Sequence, residues 1–313
     1  MIITKHYSKL IKTILLGTMT LVGFTQPSRG QYYANYSQFI SNYHVINPAY
    51  AGADDALSIT LVNRAQWLGV EGAPSTQTFT GHSLIKNEKT GIGITLINDK
   101  IGVHNSLTFL GTYAYRINLD NKSNRYLSFG LQSGVIARKS DYSSLDPEDP
   151  VLIGLSDRKT SFAFGSGVYY QSQRLKLGIS VPNLLRRDLG SEIINNSVFT
   201  HAEYLLMGMY KIPMSYNLTL QPAVLIKYLP DLPVSYDLNL SAVVNEALLV
   251  GAGYSSSEMV SGIIQASFSR QLKLGYSYDY SISNKSVLFA NAHEIMINFL
   301  FKIKSADVIG PRY

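Results

Sequence analysis

The chain has 313 residues, with 27 Lys/Arg against 21 Asp/Glu and no cysteine. The missing cysteines exclude disulfides, thiolate chemistry, a Cys-bound metal and a lipid-modified N-terminal Cys. Four of the basic residues, and no acidic one, stand within 1–30, so 23 basic residues face 21 acidic ones beyond that point; charge gives nucleic-acid binding no support.

Residues 1–30 carry Lys5, Lys9 and Lys12, an apolar run from Thr13 to Phe24, and Ser28-Arg29-Gly30. This is the layout of a cleavable export signal, with cleavage expected near Gly30/Gln31. The run is shorter than the roughly 20 residues a membrane helix needs, and no later segment supplies one.

Residues 31–53 read as a periplasmic or plug segment. Pro48 disfavours helix at Asn47, and Gly52 permits a sharp bend. Tyr32, Tyr33, Tyr36, Phe39 and Tyr43 are its expected apolar anchors, lying across the barrel mouth or tucked inside it.

From about residue 54 to 302 the sequence alternates with period 2, which marks strands with two different faces. About fourteen segments of roughly ten residues are legible: 55–67, 75–86, 89–98, 103–117, 124–138, 161–173, 174–182, 199–212, 216–229, 235–245, 247–255, 258–270, 272–282 and 286–302. Trp67 and Gly69 should end the first strand, and Gly72-Ala73-Pro74 should turn into the second.

A soluble sandwich would also alternate, but connection lengths separate the two. The longest connections, Lys139–Thr160 and Pro182–Val198, fall on the same side by strand parity, and the tight turns fall on the other. That asymmetry belongs to outer-membrane barrels. The 22 Tyr, including Tyr113, Tyr115, Tyr169, Tyr170, Tyr228, Tyr236, Tyr276 and Tyr280 near strand ends, fit an interfacial girdle. Pro222, inside a strand, should mark a bulge or boundary. Residues 303–313 are expected to form a periplasmic tail.

The polar face should point away from lipid. Arg64, Gln66, Arg116, Arg138, Asp237, Asp279 and Glu294 are the main candidates, and both charge signs suit internal cross-linking. Glycine pairs such as Gly91/Gly93 and Gly165/Gly167 lie within strands, without the helix of a nucleotide loop, and fit a crowded lumen. Asp146-Pro147-Glu148-Asp149 lacks the Asp-x-Asp-x-Asp-Gly pattern of a calcium loop. No serine elbow precedes a helix, and no two histidines stand at metal-binding spacing. No catalytic residue, cofactor or metal is therefore assigned.

The block Asn47-Pro48-Ala49-Tyr50-Ala51-Gly52, then Arg64-Ala65-Gln66-Trp67-Leu68-Gly69, then Gly72-Ala73-Pro74, resembles the start of the PorP/SprF family of the Bacteroidetes type IX secretion system. The Tyr-rich close, Tyr276-Ser277-Tyr278-Asp279-Tyr280 followed by His293-Glu294, agrees with it. The resemblance implies a non-enzymatic outer-membrane barrel that supports secretion or surface attachment of a cargo or adhesin, often one with a type B C-terminal domain. On that reading the outer connections hold cargo, and the N-terminal segment meets periplasmic machinery. A passive porin or solute channel is the alternative.

Overall fold

The protein is described here from a computed structural model, which covers residues 35–85, 89–120, 125–142, 156–188, 202–230, 232–282 and 291–301. The strands follow one another in chain order. They are β1 (Leu57–Gln66), β2 (Ser75–Leu84), β3 (Thr90–Ile101), β4 (His104–Asp120), β5 (Arg125–Asp141), β6 (Ser156–Gln171), β7 (Leu175–Asp188) and β8 (Tyr204–Tyr210). After these come β9 (Ile212–Ser215), β10 (Leu218–Tyr228), β11 (Ser235–Val244), β12 (Leu248–Ser255), β13 (Met259–Ser267), β14 (Leu272–Ser281) and β15 (Ala292–Phe301).

Apart from β8 and β9, each strand pairs antiparallel with its chain neighbour, and β15 pairs with β1 from Leu57↔Phe301 to Gln66↔Ala292, closing the wall. β8 and β9 are two pieces of one barrel strand, so the wall is fourteen-stranded. Both pieces pair with β10 in the same register, through Ala223↔Met209 and Leu220↔Ile212. The break at Lys211 falls beside Pro222, whose ring nitrogen cannot donate to a ladder. Pro222 thus marks a boundary on the neighbouring strand, while β10 runs through it.

Alternation sorts the side chains. On β2, Thr76, Thr78, Thr80 and His82 are buried, while on β4 the interleaved Leu107, Phe109, Tyr113 and Tyr115 are exposed. With no water to satisfy them in a bilayer, backbone groups must pair within the wall, and closure leaves no free edge.

Six connections, after β2, β4, β6, β9, β11 and β13, have only two to five residues. Those at the opposite, long-loop end reach fifteen residues. Three of the four strands flanking the two longest connections extend further than their alternation indicates, β5 to Asp141, β6 from Ser156 and β7 to Asp188, while β8 begins only at Tyr204. The connections expected over Lys139–Thr160 and Pro182–Val198 are correspondingly shorter. Above a membrane both faces of a strand meet water, so the apolar alternation stops while the ladder continues. Pro182 lies inside β7, next to a register shift against β6 between Phe164 and Ser166. The Asp146–Asp149 cluster, the export signal and residues 303–313 lie outside the described residues.

Most tyrosines named for the girdle face outward, among them Tyr113, Tyr115, Tyr228, Tyr276 and Tyr280. Tyr169 does not: it is fully buried and meets the Tyr50 ring at 5.2 Å, edge to face. Its odd position on β6 puts it on the lumen side, where a phenol on the inner face serves the plug rather than the lipid interface.

Candidate functional site

The lumen is occupied by the chain's own residues 35–56. They form three short 3-10 turns, Phe39–Ser41, Tyr43–Val45 and Pro48–Tyr50. Asn47 sits extended, and its Oδ1 accepts from the Ala49 N–H at 2.9 Å, capping the third turn at the point where Pro48 has no donor to offer. The Asn47 amide also donates to the Val168 carbonyl of β6 at 3.0 Å.

Gly52 takes φ +83°, a left-handed bend that favours glycine. Its N–H donates to His82 Nδ1 at 3.1 Å and its carbonyl accepts from Arg116 at 2.8 Å. Arg116 further pairs with Asp55 at 2.7 Å and stacks over the Tyr126 ring at 4.0 Å. The segment thereby leaves the lumen at the short-turn end and enters β1.

Nearer the long-loop end, Arg64 Nη1 contacts Asp279 at 2.6 Å, Glu294 at 3.3 Å and Ser37 Oγ at 2.8 Å. Glu294 accepts from the Ser37 and Gln38 N–H groups at 3.0 Å each, and Ser37 Oγ donates to Asp279 at 2.6–2.7 Å. One guanidinium and two backbone donors therefore hold two carboxylates across the closing seam. Such a buried cluster persists only when its lone pairs are well satisfied. Two residues before Ser37 in the segment, Asn35 Oδ1 accepts from Lys227, which pairs with Asp237 at 2.7 Å.

Apolar packing fills the half of the lumen lined by β6, β8 and β10. Phe39, Tyr43, Ile46 and Tyr50 join Tyr169, Met207, Met209 and Leu225 in one cluster. Along β3, β5 and β6 the wall makes room with glycine. A methyl group at Gly91 would overlap Ala51 O, one at Gly130 would overlap Ala49 N, and one at Gly167 would overlap Asn47 Oδ1. His44 is buried in its turn against the His82 ring at 5.0 Å. Burial holds its imidazole well below the ordinary histidine range, with the neighbouring His82 adding to that effect.

The sequence candidates thus separate along the barrel. Asn47, Pro48, Ala51 and Gly52 lie in the lumen toward the short-turn end. Arg64, Asp279 and Glu294 meet in one cluster, and Arg116 and Asp237 belong to two others. Gln66, Trp67, Gly69, Gly72, Ala73 and Pro74 build the first turn at the long-loop end. There Trp67 takes φ +53° and donates to Asn291 O at 2.9 Å. Gln66 N donates to Pro74 O at 2.9 Å, and Gly72 O accepts from Gly102 N at 2.8 Å.

Arg138 departs from its expected lumenal place. It stands beyond Ile136 near the end of β5 and is exposed, because β5 outruns the filled part of the lumen. Ser37, Gln38 and Gln265 were not expected. Gln265 bonds both Ser41 and Gln38, and only its inward parity on β13 pointed to it. Among the described residues no three His, Asp or Glu side chains gather as metal ligands.

Solved structures share this architecture at low identity. The CymD monoaromatic hydrocarbon channel matches with TM-score 0.52 and 12% identity, over 87% of this chain and 95% of its own. The toluene transporter TbuX of Ralstonia pickettii matches with TM-score 0.49 and 9% identity, over 84% and 94%. Omp33 of Acinetobacter baumannii matches with TM-score 0.43 and 10% identity, over 79% and 100%. The CymD likeness shows the barrel fold and nothing finer. No curated protein matches the chain. The family described as type IX secretion system membrane protein PorP/SprF matches residues 28–299. With that match across nearly the whole barrel, the chain belongs to the PorP/SprF family of outer-membrane β-barrel proteins of type IX secretion.

Proposed function

We propose that the protein is a non-enzymatic component of type IX secretion that supports the secretion or surface attachment of one partner cargo, a protein with a type B C-terminal domain. The observation that carries this reading is the lumen. Residues 35–56 bond to the wall on several sides, through Thr78 and Thr80 of β2, Val168 of β6, Gln265 of β13, Asp279 of β14 and Glu294 of β15. A passive channel needs that space open. A scaffold for a partner needs instead a rigid wall and a built-up outer rim, and β4 to β7 supply such a rim at the long-loop end.

The cargo is assigned to that rim and to the connections 143–155 and 189–201. The periplasmic machinery is assigned to the short-turn face, which changes the expectation for the N-terminal segment. From Asn35 onward that segment is engaged inside the barrel, so its buried groups are not free to bind the periplasmic machinery.

The test is deletion of each long connection in cells, followed by quantification of cargo on the surface. Loss of cargo with normal barrel levels supports the reading; undiminished cargo after both deletions overturns it. Affinity purification from native membranes in mild detergent supplies the second arm. Recovery of one large surface protein agrees with the proposal, whereas a partner-free barrel that conducts ions in planar bilayers would favour the passive channel.

A further inference from the structure

The outward face of β3 to β6 carries a row of cations that neither the plug nor the cargo reading uses. In the ladders Lys100 is opposite Asn105, Asn105 is opposite Lys139, and Lys139 is opposite Arg158. All four residues are exposed. Their parity is that of Leu96, Phe109, Val135 and Phe162, which form the row four residues closer to the short-turn end on the lipid-facing side. Neighbouring strands are about 4.8 Å apart, so Lys139 and Arg158 are direct like-charge neighbours, an arrangement that destabilises a sheet by itself.

The height of this row is informative. Ten residues below Lys100 on β3, the row Thr90, Tyr115, Phe129 and Val168 crosses the same four strands. Ten residues at about 3.3 Å each, tilted by roughly 40°, rise about 25 Å, which is the height of a barrel's apolar band. No Asp, Glu, Lys or Arg stands on this face between the two rows. Tyr115 thus sits where an interfacial ring belongs at one edge of the band, and the cations sit at the other edge. Lys139 has one carboxylate beside it, Asp141, at 3.2 Å; three cations with one acid leave the patch positive. Arg138 and Lys159, which oppose each other in the ladder with inward parity, add to the field, and Asp157 offsets part of it at 3.7 Å from Lys159.

We propose that Lys100, Lys139 and Arg158 form a seat for the phosphate groups of an anionic lipid, in the leaflet at the long-loop end. Phosphate offers several acceptor oxygens to cations spaced one and two strands apart, and it relieves the Lys139–Arg158 repulsion. The apolar rows directly below supply the surface on which the same lipid's acyl chains lie. A cargo protein approaching the rim would meet this bound lipid as well as the loops.

The experiment titrates the full chain, purified in a mild non-ionic detergent, with bisphosphorylated lipid A, and repeats the titration with phosphatidylcholine and with millimolar inorganic phosphate. The neutral triple variant Lys100→Gln, Lys139→Gln, Arg158→Gln is expected to weaken lipid A binding by about fivefold per charge, on the order of a hundredfold in all. Asp141→Asn should tighten it by a similar factor per charge, a gain that a misfolded variant cannot produce. Unchanged affinity in the triple variant overturns the proposal. Displacement of lipid A by inorganic phosphate alone would make this a free-anion site and equally overturn it.

Discussion

Arg64 on β1 and Asp279 on β14 meet at 2.6 Å, each about 3% exposed, although β15 runs between their strands. The guanidinium reaches over Glu294, its direct ladder partner, and ties three strands to Ser37 of the lumenal segment. Replacing Arg64 with Ala leaves two adjacent buried carboxylates without their cation, at a cost of about 3–5 kcal/mol. The expected outcome is a lower temperature for the heat-modifiable shift of the barrel on gels, together with ion conductance in planar bilayers as residues 35–41 lose their seat. Adding Asp279→Asn and Glu294→Gln should restore part of the stability. A barrel that melts as wild type and stays silent would show that the cluster does not hold the segment.

Steric fit gives an independent way to displace the same residues. Gly130 faces the Ala49 backbone so closely that any side chain must push it away. Gly130→Val is expected to destabilise the seated segment by about 1–3 kcal/mol and to raise the susceptibility of residues 35–56 to added protease. Gly262 on β13 has nothing within 4 Å of an added methyl, so Gly262→Ala should change stability by less than about 0.5 kcal/mol. Equal effects from the two substitutions would argue that backbone strain, not contact with the segment, explains the first.

The capping role of Asn47 separates local order from global stability. Asn47→Ala removes the acceptor for Ala49 N and the donor to Val168 O, a loss of about 1–2 kcal/mol. Asn47→Asp keeps the cap but turns a buried carboxylate oxygen toward the Val168 carbonyl, so its melting temperature should fall at least as low as that of Asn47→Ala. An aspartate variant that melts between Ala and wild type would assign most of the effect to the cap.

How much of this was legible in the sequence depends on which physical rule spoke at each place. Where lipid lies on one side and the packed lumen on the other, alternation was strong, and β1, β2 and β10 to β14 fall within a few residues of expectation. Where β5 to β7 run past the apolar alternation, both faces meet water and the signal ends, so Asp141, Ser156 and Asp188 were placed in loops. Inward parity marked Arg64, Asp279 and Glu294 as lumenal, yet nothing in the spacing said that they meet. That depends on the ladder register across the seam, which pairs residues 230 positions apart. Arg138 had the right parity and lies above the filled lumen. Ser37 and Gln38 were invisible because they lie in the irregular lumenal segment, where no period sets parity, and because part of their contact with Glu294 uses backbone N–H groups, which every residue has. Pro222 was the opposite case, since a missing donor is a local fact and its consequence appeared on the adjacent strand.

Orientation remains a prediction that native chemistry makes easy to test, because the chain has no cysteine and every introduced thiol is unique. Leu68 lies in the β1–β2 turn at the long-loop end and is 64% exposed. Phe268 lies in the β13–β14 turn at the opposite end and is 69% exposed. If the long-loop end faces outward, Leu68→Cys on intact cells should react with a membrane-impermeant maleimide, and Phe268→Cys should react only after the outer membrane is permeabilised. The reverse pattern would turn the rim toward the periplasm, removing the surface on which cargo is proposed to sit. It would also place the Lys100, Lys139 and Arg158 row in the inner leaflet, against phospholipid instead of lipid A. Cargo assignment and lipid assignment therefore stand on one labelling experiment, while the filled lumen stands apart from it, since its contacts are the same whichever end faces out.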